Sequence, residues 1–190
     1  MAPRIRINEN MIVNAALEVI RQAGFDNVNA RTVAARLGCS TQPVMYHFAT
    51  MDSLKRAAYT EADQLHTAYL MNIPQDKNPV LGIGLNYIRF AVEEPQLFRF
   101  LFHSGYGRES SLMEMVNAAE LDPVLSVMQE ELGADLETTR EVFMIVALFA
   151  HGYASILAGN ALEYDEAQIA EHLERVWNGA VFTAEKGKKE

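Results

Sequence analysis

The chain has 190 residues, a formal net charge of −9 and a hydrophobic fraction of 49%. This composition excludes a chain that is disordered throughout, and the length allows one or two domains with a buried core. No uninterrupted apolar run reaches the ~18 residues of a membrane span, and residues 1–10 lack the apolar segment of a signal peptide. The single cysteine, Cys39, excludes an internal disulfide and fits a reducing cytoplasm, where we expect the protein to be located.

Charge is distributed unevenly along the chain. Residues 1–60 carry seven basic and four acidic side chains, a balance of +3, whereas residues 61–190 have a balance of −12. A mildly basic head on an acidic body favours a polyanionic partner at one end only. A balance of +3 over this length also occurs by ordinary variation, so charge alone does not decide the function.

The N-terminal third of the chain has the pattern of four helices. Apolar side chains recur every three or four residues, and Gly and Pro lie between the periodic segments. Asn8, Asn29 and Ser40 stand where N-caps are favoured, and Gly24 stands where a glycine ends a helix. The expected helices cover about 9–23, 29–37, 40–48 and 51–71.

The remainder is also predicted to be helical. Pro74 and Pro79 interrupt the chain, and Pro95 starts the following helix. No segment shows the sustained alternation of apolar and polar residues that is typical of a half-exposed strand. Further helices are expected over about 78–94, 95–103, 112–131, 135–159 and 165–184. The sequence therefore predicts an all-α protein of about nine helices.

Residues 24–54 have the layout of a helix-turn-helix. Gly38 separates two short helices and can adopt the positive φ that a tight turn requires. In such a unit the second helix enters the major groove of DNA with its N-terminal residues at the base edges. Here those residues are Ser40, Thr41, Gln42 and Pro43. A glutamine can pair bidentately with adenine, a threonine can reach a base or a phosphate, and a proline ring can meet a thymine methyl group.

Three more side chains of this unit are candidate DNA contacts. Tyr46 and His47 follow one turn later, where phosphates are nearer than bases. Arg31, early in the preceding helix, can reach either the backbone or a base. The alternatives are that His47 is an ordinary surface histidine, that Tyr46 packs under the head, and that Arg31 is only solvated.

A distributed pattern of residues runs from Ile12 to Leu54. It includes Gly24-Phe25, the run from Thr32 to Gly38, Ser40 and His47-Phe48. In this pattern, residues 9–55 resemble the DNA-binding domain of the TetR family of bacterial transcriptional regulators. By position, the resemblance implies operator contacts at Arg31, Thr41, Gln42, Pro43, Tyr46 and His47.

Two methionines depart from the family's usual pattern. Met45 stands where the family usually has Tyr, and Met51 where it usually has Lys. Both positions typically contact phosphates. Tyr46 adjoins the first position, and Lys55 and Arg56 lie one turn beyond the second. We expect weaker non-specific DNA affinity than is usual, because each lost phosphate contact reduces the electrostatic term.

The resemblance also implies the division of the chain. Residues 1–55 would be the helix-turn-helix domain, residues 56–185 a helical effector-binding and dimerisation domain, and residues 186–190 a charged tail. The helix over 51–71 begins under the head and ends in the body, so we expect it to transmit motion between them. Family bodies enclose a ligand pocket and dimerise through their last two long helices.

The body is rich in aromatic and methionine side chains, which suit an adaptable, mostly apolar pocket. Two histidines are its polar candidates. The expected pocket residues are Tyr87, Phe90, Phe98, Phe102, His103, Tyr106, Met113, Met144 and His151. The alternative is that the aromatic residues are ordinary core and that both histidines are structural.

The helix over 135–159 is apolar on almost every side, so two of its faces must be covered. One face carries alanines that would allow a second chain to approach closely, and the last helix offers a further apolar stripe. The expected dimer interface consists of Ala147, Ala150, Ala154, Ala158, Leu173, Val176, Trp177 and Ala180. A two-fold dimer would match a palindromic operator.

These features predict a dimeric repressor that binds double-stranded DNA and is released by a small, largely apolar effector. We expect no cofactor, no metal and no enzymatic activity, because no catalytic, metal-binding or phosphate-loop motif occurs at usable spacing. One alternative is an enzyme with a helical body. Another is a family member that organises DNA or represses without any effector, and an activator is also compatible with the sequence.

Overall fold

A computed structural model of the protein describes residues 7–74, 78–107, 111, 114, 116–160 and 162–187. Within these residues no strand occurs, which confirms the all-α prediction, and nine α-helices and two 3₁₀ turns have bounds that the structure describes. The helices are α1 Glu9–Ala23, α2 Ala30–Arg36, α3 Thr41–His47, α4 Met51–Leu70, α5 Pro79–Glu93, α6 Pro95–His103, α7 Asp122–Leu132, α8 Leu136–Asn160 and α9 Glu166–Gly187. The 3₁₀ turns are Phe25–Asn27 and Ala119–Leu121.

The helix starts near the N-terminus follow from local capping. The Asn8 side chain accepts a hydrogen bond of 2.9 Å from the Met11 amide, which confirms Asn8 as the cap of α1. Asn29 accepts bonds from the amides of Arg31 and Thr32, while the Thr32 hydroxyl accepts one from the Asn29 amide. This reciprocal capping box satisfies main-chain donors that the helix itself leaves unpaired.

The prediction of one helix over 112–131 was wrong. Ala118 is extended, with a ψ of 135°, and α7 begins only at Asp122. Pro123 lies in the first turn of α7. Since proline lacks an N–H and its ring clashes with a preceding turn, it is tolerated at a helix start and not in a helix interior.

The contacts divide the chain into two compact units. Unit 1 consists of Met1–His66 and Glu94–Arg108, and unit 2 of Thr67–Glu93 and Glu109–Glu190. The helix α4 therefore begins in unit 1 and ends in unit 2. The division into domains at residue 55, which the sequence suggests on functional grounds, stays a prediction.

In unit 1, α6 packs against α1. The Arg21 guanidinium forms an ion pair of 3.0 Å with Glu94, and the Phe25 and Phe100 rings lie 5.8 Å apart. The Tyr59 hydroxyl donates to the carbonyl of Leu101 at 3.3 Å. The buried core of this unit includes Ile12, Leu17, Ile20, Val33, Val44, Leu54, Leu97, Phe98 and Phe100.

In unit 2, α5, α8 and α9 pack together, and α7 packs against α5 and α8. The buried side chains of this core include Leu70, Val80, Ile83, Val124, Met128, Val142 and Ala180. Among the described residues, α8 is the one helix long and apolar enough to cross a membrane, with a hydropathy of 1.9 over an 18-residue window. Polar residues interrupt its apolar run. Ile145, Leu148 and Ile156 of this helix are exposed, whereas most of its other apolar side chains are buried or half-buried.

Candidate nucleic-acid interface

The helix α3 is held by its apolar side and presents its polar side to solvent. Val44 is fully buried and Phe48, just after the helix, is 8% exposed. Thr41 and Gln42 are exposed at the start of the helix, and Tyr46 is 83% exposed one turn later. An aromatic side chain with this exposure contributes nothing to the core, so it is available for a partner.

The turn before α3 depends on Gly38. Its φ is 65°, a left-handed conformation that a β-carbon disfavours. The Cys39 amide donates to the carbonyl of Ala34 at 3.0 Å and closes the end of α2. The orientation of α3 relative to α2 is therefore determined by one glycine and by a local main-chain hydrogen bond.

The N-termini of α2 and α3 differ in what they offer a phosphate. At α2, Asn29 already accepts from the amides of Arg31 and Thr32, at 3.0 and 3.1 Å. At α3, the side chain of the N-cap residue Ser40 forms no capping bond. The first main-chain amides of α3 therefore have no acceptor from the cap residue. A phosphate could accept their hydrogen bonds and that of the Ser40 hydroxyl. Ser40 is one of the residues that the sequence predicts at the base edges, and this role stays a prediction.

His47 is oriented differently from the other predicted contacts. It is half-buried; its Nε2 lies 3.2 Å from the carbonyl oxygen of Ile7 and its Nδ1 lies 3.6 Å from the Glu9 carboxylate. Both ring nitrogens thus face the start of α1. Pro43 is also half-buried. The role of His47 as a phosphate contact stays a prediction.

The cations of unit 1 are mostly paired. Arg36 bonds to Glu18, Arg21 to Glu94, and Arg56 to Asp52 at 2.8 Å. Arg31, in contrast, is exposed and has no ion pair within the described part of the chain. An unpaired surface guanidinium beside α3 can neutralise a phosphate without first breaking an internal bond.

The comparisons with known proteins agree with this geometry. Residues 12–58 match the family of bacterial regulatory proteins named tetR, and residues 80–178 match the tetracyclin repressor-like C-terminal domain. The chain belongs to the TetR family. It is therefore a DNA-binding transcriptional regulator, in a family whose members are generally not enzymes.

Individual TetR-family relatives are distant. An uncharacterized HTH-type transcriptional regulator, YobS of Bacillus subtilis (strain 168), is 21% identical over 169 residues, which cover 87% of each protein. A TetR-family regulator from Streptomyces coelicolor has a TM-score of 0.68 at 17% identity, with 93% of this chain and 87% of that chain covered. The multidrug binding protein EbrR, complexed with ethidium, has a TM-score of 0.62 at 21% identity, with 91% and 99% covered. At such identities the structural likeness shows the fold.

The predicted pocket residues of this TetR-family chain do not all belong to the same unit. Four of them, Phe98, Phe102, His103 and Tyr106, are in unit 1. Phe98 is fully buried in that unit's core, where its ring lies 4.9 Å from that of Phe102. Tyr106 lies against α4, with the Arg56 guanidinium 5.7 Å from its ring centre. Burial and the neighbouring Asp52 carboxylate raise the pKa of Tyr106. Met113 lies outside the described residues.

The other predicted pocket residues, Tyr87, Phe90, Met144 and His151, are in unit 2. The Tyr87 hydroxyl and the His151 Nδ1 are 2.8 Å apart, and the Ser155 hydroxyl lies 3.4 Å from His151 Nε2. Burial raises the pKa of Tyr87, so its phenol stays neutral and can donate a hydrogen bond. Phe90 is buried, with its ring 5.4 Å from that of Tyr69.

Two cavities described in unit 2 lie elsewhere. The first, of about 460 Å³, is lined by α8 and α9, and the second, of about 320 Å³, by α5, α7, α8 and α9. Neither wall contains a predicted pocket residue. The sequence identified polar and aromatic residues that do meet, Tyr87 and His151, but it did not identify the residues that line these two spaces.

The predicted dimer interface needs correction. Ala150, Ala154, Leu173 and Ala180 are at most 4% exposed and belong to the core of their own protomer. A second chain cannot reach them, because α8 turns this face toward its own unit. The other four predicted residues, Ala147, Ala158, Val176 and Trp177, are half-buried.

The exposed apolar face of α8 is formed by different residues. Ile145 and Leu148 are each 47% exposed, and Ile156 is 54% exposed. Together with Gly152 they recur at helical spacing and form one stripe. On α9, Phe182 is 58% exposed.

Proposed function

We propose that this TetR-family regulator is a cytoplasmic, dimeric repressor that binds a palindromic operator and is released when a small, largely apolar effector binds in the helical body. The observation that carries the proposal is the polar face of α3. Thr41, Gln42 and Tyr46 are exposed on a helix whose opposite side is buried. Such a helix, following a tight turn at Gly38, suits insertion into a major groove.

Within the interface, the side chains have separate proposed roles. Thr41, Gln42 and Pro43 read base edges at the start of α3. Tyr46, His47 and Arg31 contact phosphates, with Arg31 also within reach of a base. Phosphate contacts position the protein, whereas base contacts determine the sequence that it selects.

The exposed apolar stripe of α8 supports a dimer. A stripe of Ile145, Leu148 and Ile156 on a helix of 25 residues is a large apolar surface for a protein that lacks a partner. We propose that a second copy of the chain covers it, together with the exposed part of α9 around Phe182. A two-fold dimer would place two α3 helices for two half-sites.

The pair Tyr87 and His151 is the proposed polar anchor of the effector site in unit 2. A neutral phenol and an imidazole at 2.8 Å can exchange their mutual hydrogen bond for bonds to a ligand. Ligand binding is typical of the family; EbrR is complexed with ethidium, and a TetR protein from Acinetobacter baumannii AYE with minocycline. An effector changes operator affinity only through its different affinity for the two states of the protein.

One observation favours a second candidate, a repressor without an effector. Phe90 is 2% exposed, and the two described cavities contain none of the predicted pocket residues. The absence of a described cavity at the predicted pocket residues would support constitutive repression. In this case operator affinity would stay constant for every compound that binds the body.

The decisive experiment is selection of bound duplexes from a random DNA pool with the full chain. We expect a palindrome whose half-site centres are about one helical turn or a multiple of it apart. Gln42→Ala, compared with the exposed Gln64→Ala on α4, should relax the preference at one base position per half-site. If no sequence is enriched, or only a single half-site is enriched, the proposal of a dimer that binds a palindromic operator is contradicted.

A further inference from the structure

We infer that unit 2 carries a binding site for a small organic cation in the cavity of about 320 Å³ that α5, α7, α8 and α9 line. The inference goes beyond the proposed function. The wall contains neither Tyr87 nor His151, and occupation of the cavity does not require operator release. Its volume is within the range of about 300–1,000 Å³ that is usual for small-molecule sites.

The apolar part of the wall is an indole against an aliphatic floor. Trp177 is half-buried, and Val80 and Leu173 are 8% and 3% exposed. Gly84 determines how closely α9 approaches, because a β-carbon there would lie 3.1 Å from Leu173 Cδ1. The floor is therefore shaped by a close helix contact.

The polar part of the wall is negative. It includes the carboxylates of Glu131 on α7 and Glu174 on α9, with the amides of Asn78 and Asn178. Glu131 accepts a hydrogen bond of 3.2 Å from the Asn78 side chain, which holds that carboxylate at the cavity. No lysine, arginine or histidine is among the described wall residues, so no described cation of the wall neutralises either carboxylate.

This combination selects one class of ligand. The face of an indole is the aromatic surface that attracts cations most strongly, and two carboxylates add to the attraction. An anion would be repelled by both glutamates, and a neutral apolar molecule would desolvate them without compensation. The fitting ligand is a quaternary ammonium ion or protonated amine with an apolar body.

The test uses the single tryptophan of the chain as its reporter. In the ¹⁵N-labelled full chain, Trp177 contributes one indole N–H resonance, which we would follow while adding phenyltrimethylammonium. The matched probe is tert-butylbenzene, which has the same shape and no charge. We expect a saturable shift with the cation that weakens as salt is added, and no comparable shift with the neutral probe.

Two glutamine substitutions locate the site. Glu131→Gln and Glu174→Gln should each weaken phenyltrimethylammonium binding by roughly three- to tenfold. Glu130→Gln removes the same charge from an exposed neighbour on α7 that is outside the cavity wall, and should leave the affinity unchanged.

Three results would overturn the inference: no saturable shift with the cation, an equal shift with tert-butylbenzene, or equal weakening by Glu130→Gln. The last would mean that the net charge of −9 attracts the cation without a site. Operator binding, measured on the same samples, succeeds or fails independently of all three.

Discussion

The side-chain amide of Asn86 on α5 lies 3.1 Å from the carbonyl oxygen of Leu70 and 3.2 Å from those of Tyr69 and Asn72. These carbonyls are at the end of α4, where a helix leaves its last acceptors without main-chain partners. Asn86 is only 7% exposed, so water does not compete for these bonds. The Asn86 side chain of α5 therefore caps the C-terminal end of α4. This is the helix that begins in unit 1, directly after the candidate DNA-reading helix α3.

Replacing Asn86 with leucine should lower the free energy of unfolding by about 2 kcal/mol, because buried carbonyls lose their donor. The measurement is urea denaturation followed by circular dichroism. Asn160→Leu is the matched control: its amide also donates to a carbonyl, that of Ile156 at 2.8 Å, but it is exposed on α8. The control should change stability by less than about 0.5 kcal/mol. Equal losses in both variants would contradict the role given to Asn86.

The turn of the DNA-reading unit gives a second prediction. Gly38→Ala should destabilise the protein by about 1–2 kcal/mol, because alanine at a φ of 65° is strained. A β-carbon there meets no atom within 4 Å, so the loss would come from the backbone and not from a clash. Gly38→Asn should destabilise the protein less than Gly38→Ala does, since asparagine tolerates the left-handed region. Thermal unfolding of the three proteins measures both differences, and an alanine variant as stable as the wild type would refute the argument.

Stability should also depend on pH through His66. Burial lowers the pKa of His66 from 6.5 to about 4 in the folded protein. As the pH falls through 6.5, the unfolded chain binds a proton that the folded protein excludes until about 4. The contribution of His66 to the free energy of unfolding is therefore complete above the pKa of histidine in the unfolded chain. It is lost progressively as the pH falls below that value, by about 3 kcal/mol in total.

His66→Leu should remove this part of the pH dependence, so the stability difference between wild type and variant should shift in favour of the variant between pH 6.5 and 4. His103→Leu, which replaces an exposed histidine, is the control substitution. Denaturant midpoints measured across this range decide the matter. Parallel curves for wild type and His66→Leu would show that the folded protein does not exclude the proton.

DNA binding tests the departure at Met51. Met51→Lys should restore a phosphate contact and increase the dependence of operator affinity on salt by about one counterion per half-site. Met51 is half-buried in the first turn of α4, which follows α3 closely in the chain. Fluorescence anisotropy over a range of salt concentrations gives the slope.

The control for added charge is Gln64→Lys. Gln64 is exposed on the same helix, about 20 Å further along its axis. The Gln64→Lys substitution should leave the salt dependence of operator affinity nearly unchanged. If Met51→Lys leaves the slope unchanged as well, position 51 does not contact a phosphate in this protein.

The helix boundaries of the head could be read from the sequence because their causes are local. Asn8 and Asn29 cap helices through residues two or three positions away, and Gly38 supplies a conformation of its own backbone. Such signals do not depend on the rest of the fold. The failure over 112–131 also has a local cause, because Pro123 favours the first turn of a helix over its interior.

The body could not be read in the same way, since periodicity shows that a side chain is buried and not what buries it. The predicted pocket residue Phe98 is fully buried in the core of unit 1, so its role at a ligand pocket stays a prediction. The alanines of α8 are predicted on an open face, yet Ala150 and Ala154 pack inside their own unit. Which neighbour covers a helix face depends on residues far away in the chain.

The corrected face of α8 gives the last prediction. Leu148 is 47% exposed in the centre of the stripe between Ile145 and Ile156. Leu148→Glu would place a carboxylate from each protomer in the proposed interface, where burying two unpaired charges is costly. We expect the dimer dissociation constant to rise by at least about 100-fold, with a parallel loss of operator affinity.

Sedimentation velocity over a range of concentrations measures the dimer directly. Leu65→Glu is the matched control, because Leu65 is 38% exposed on α4 and is not part of the stripe, so the substitution should leave the dimer intact. Both proteins should keep the wild-type helical signal, since neither substitution touches a buried side chain. A wild-type protein that stays monomeric, or a Leu148→Glu protein that dimerises as the wild type does, would require another cover for the apolar face of α8.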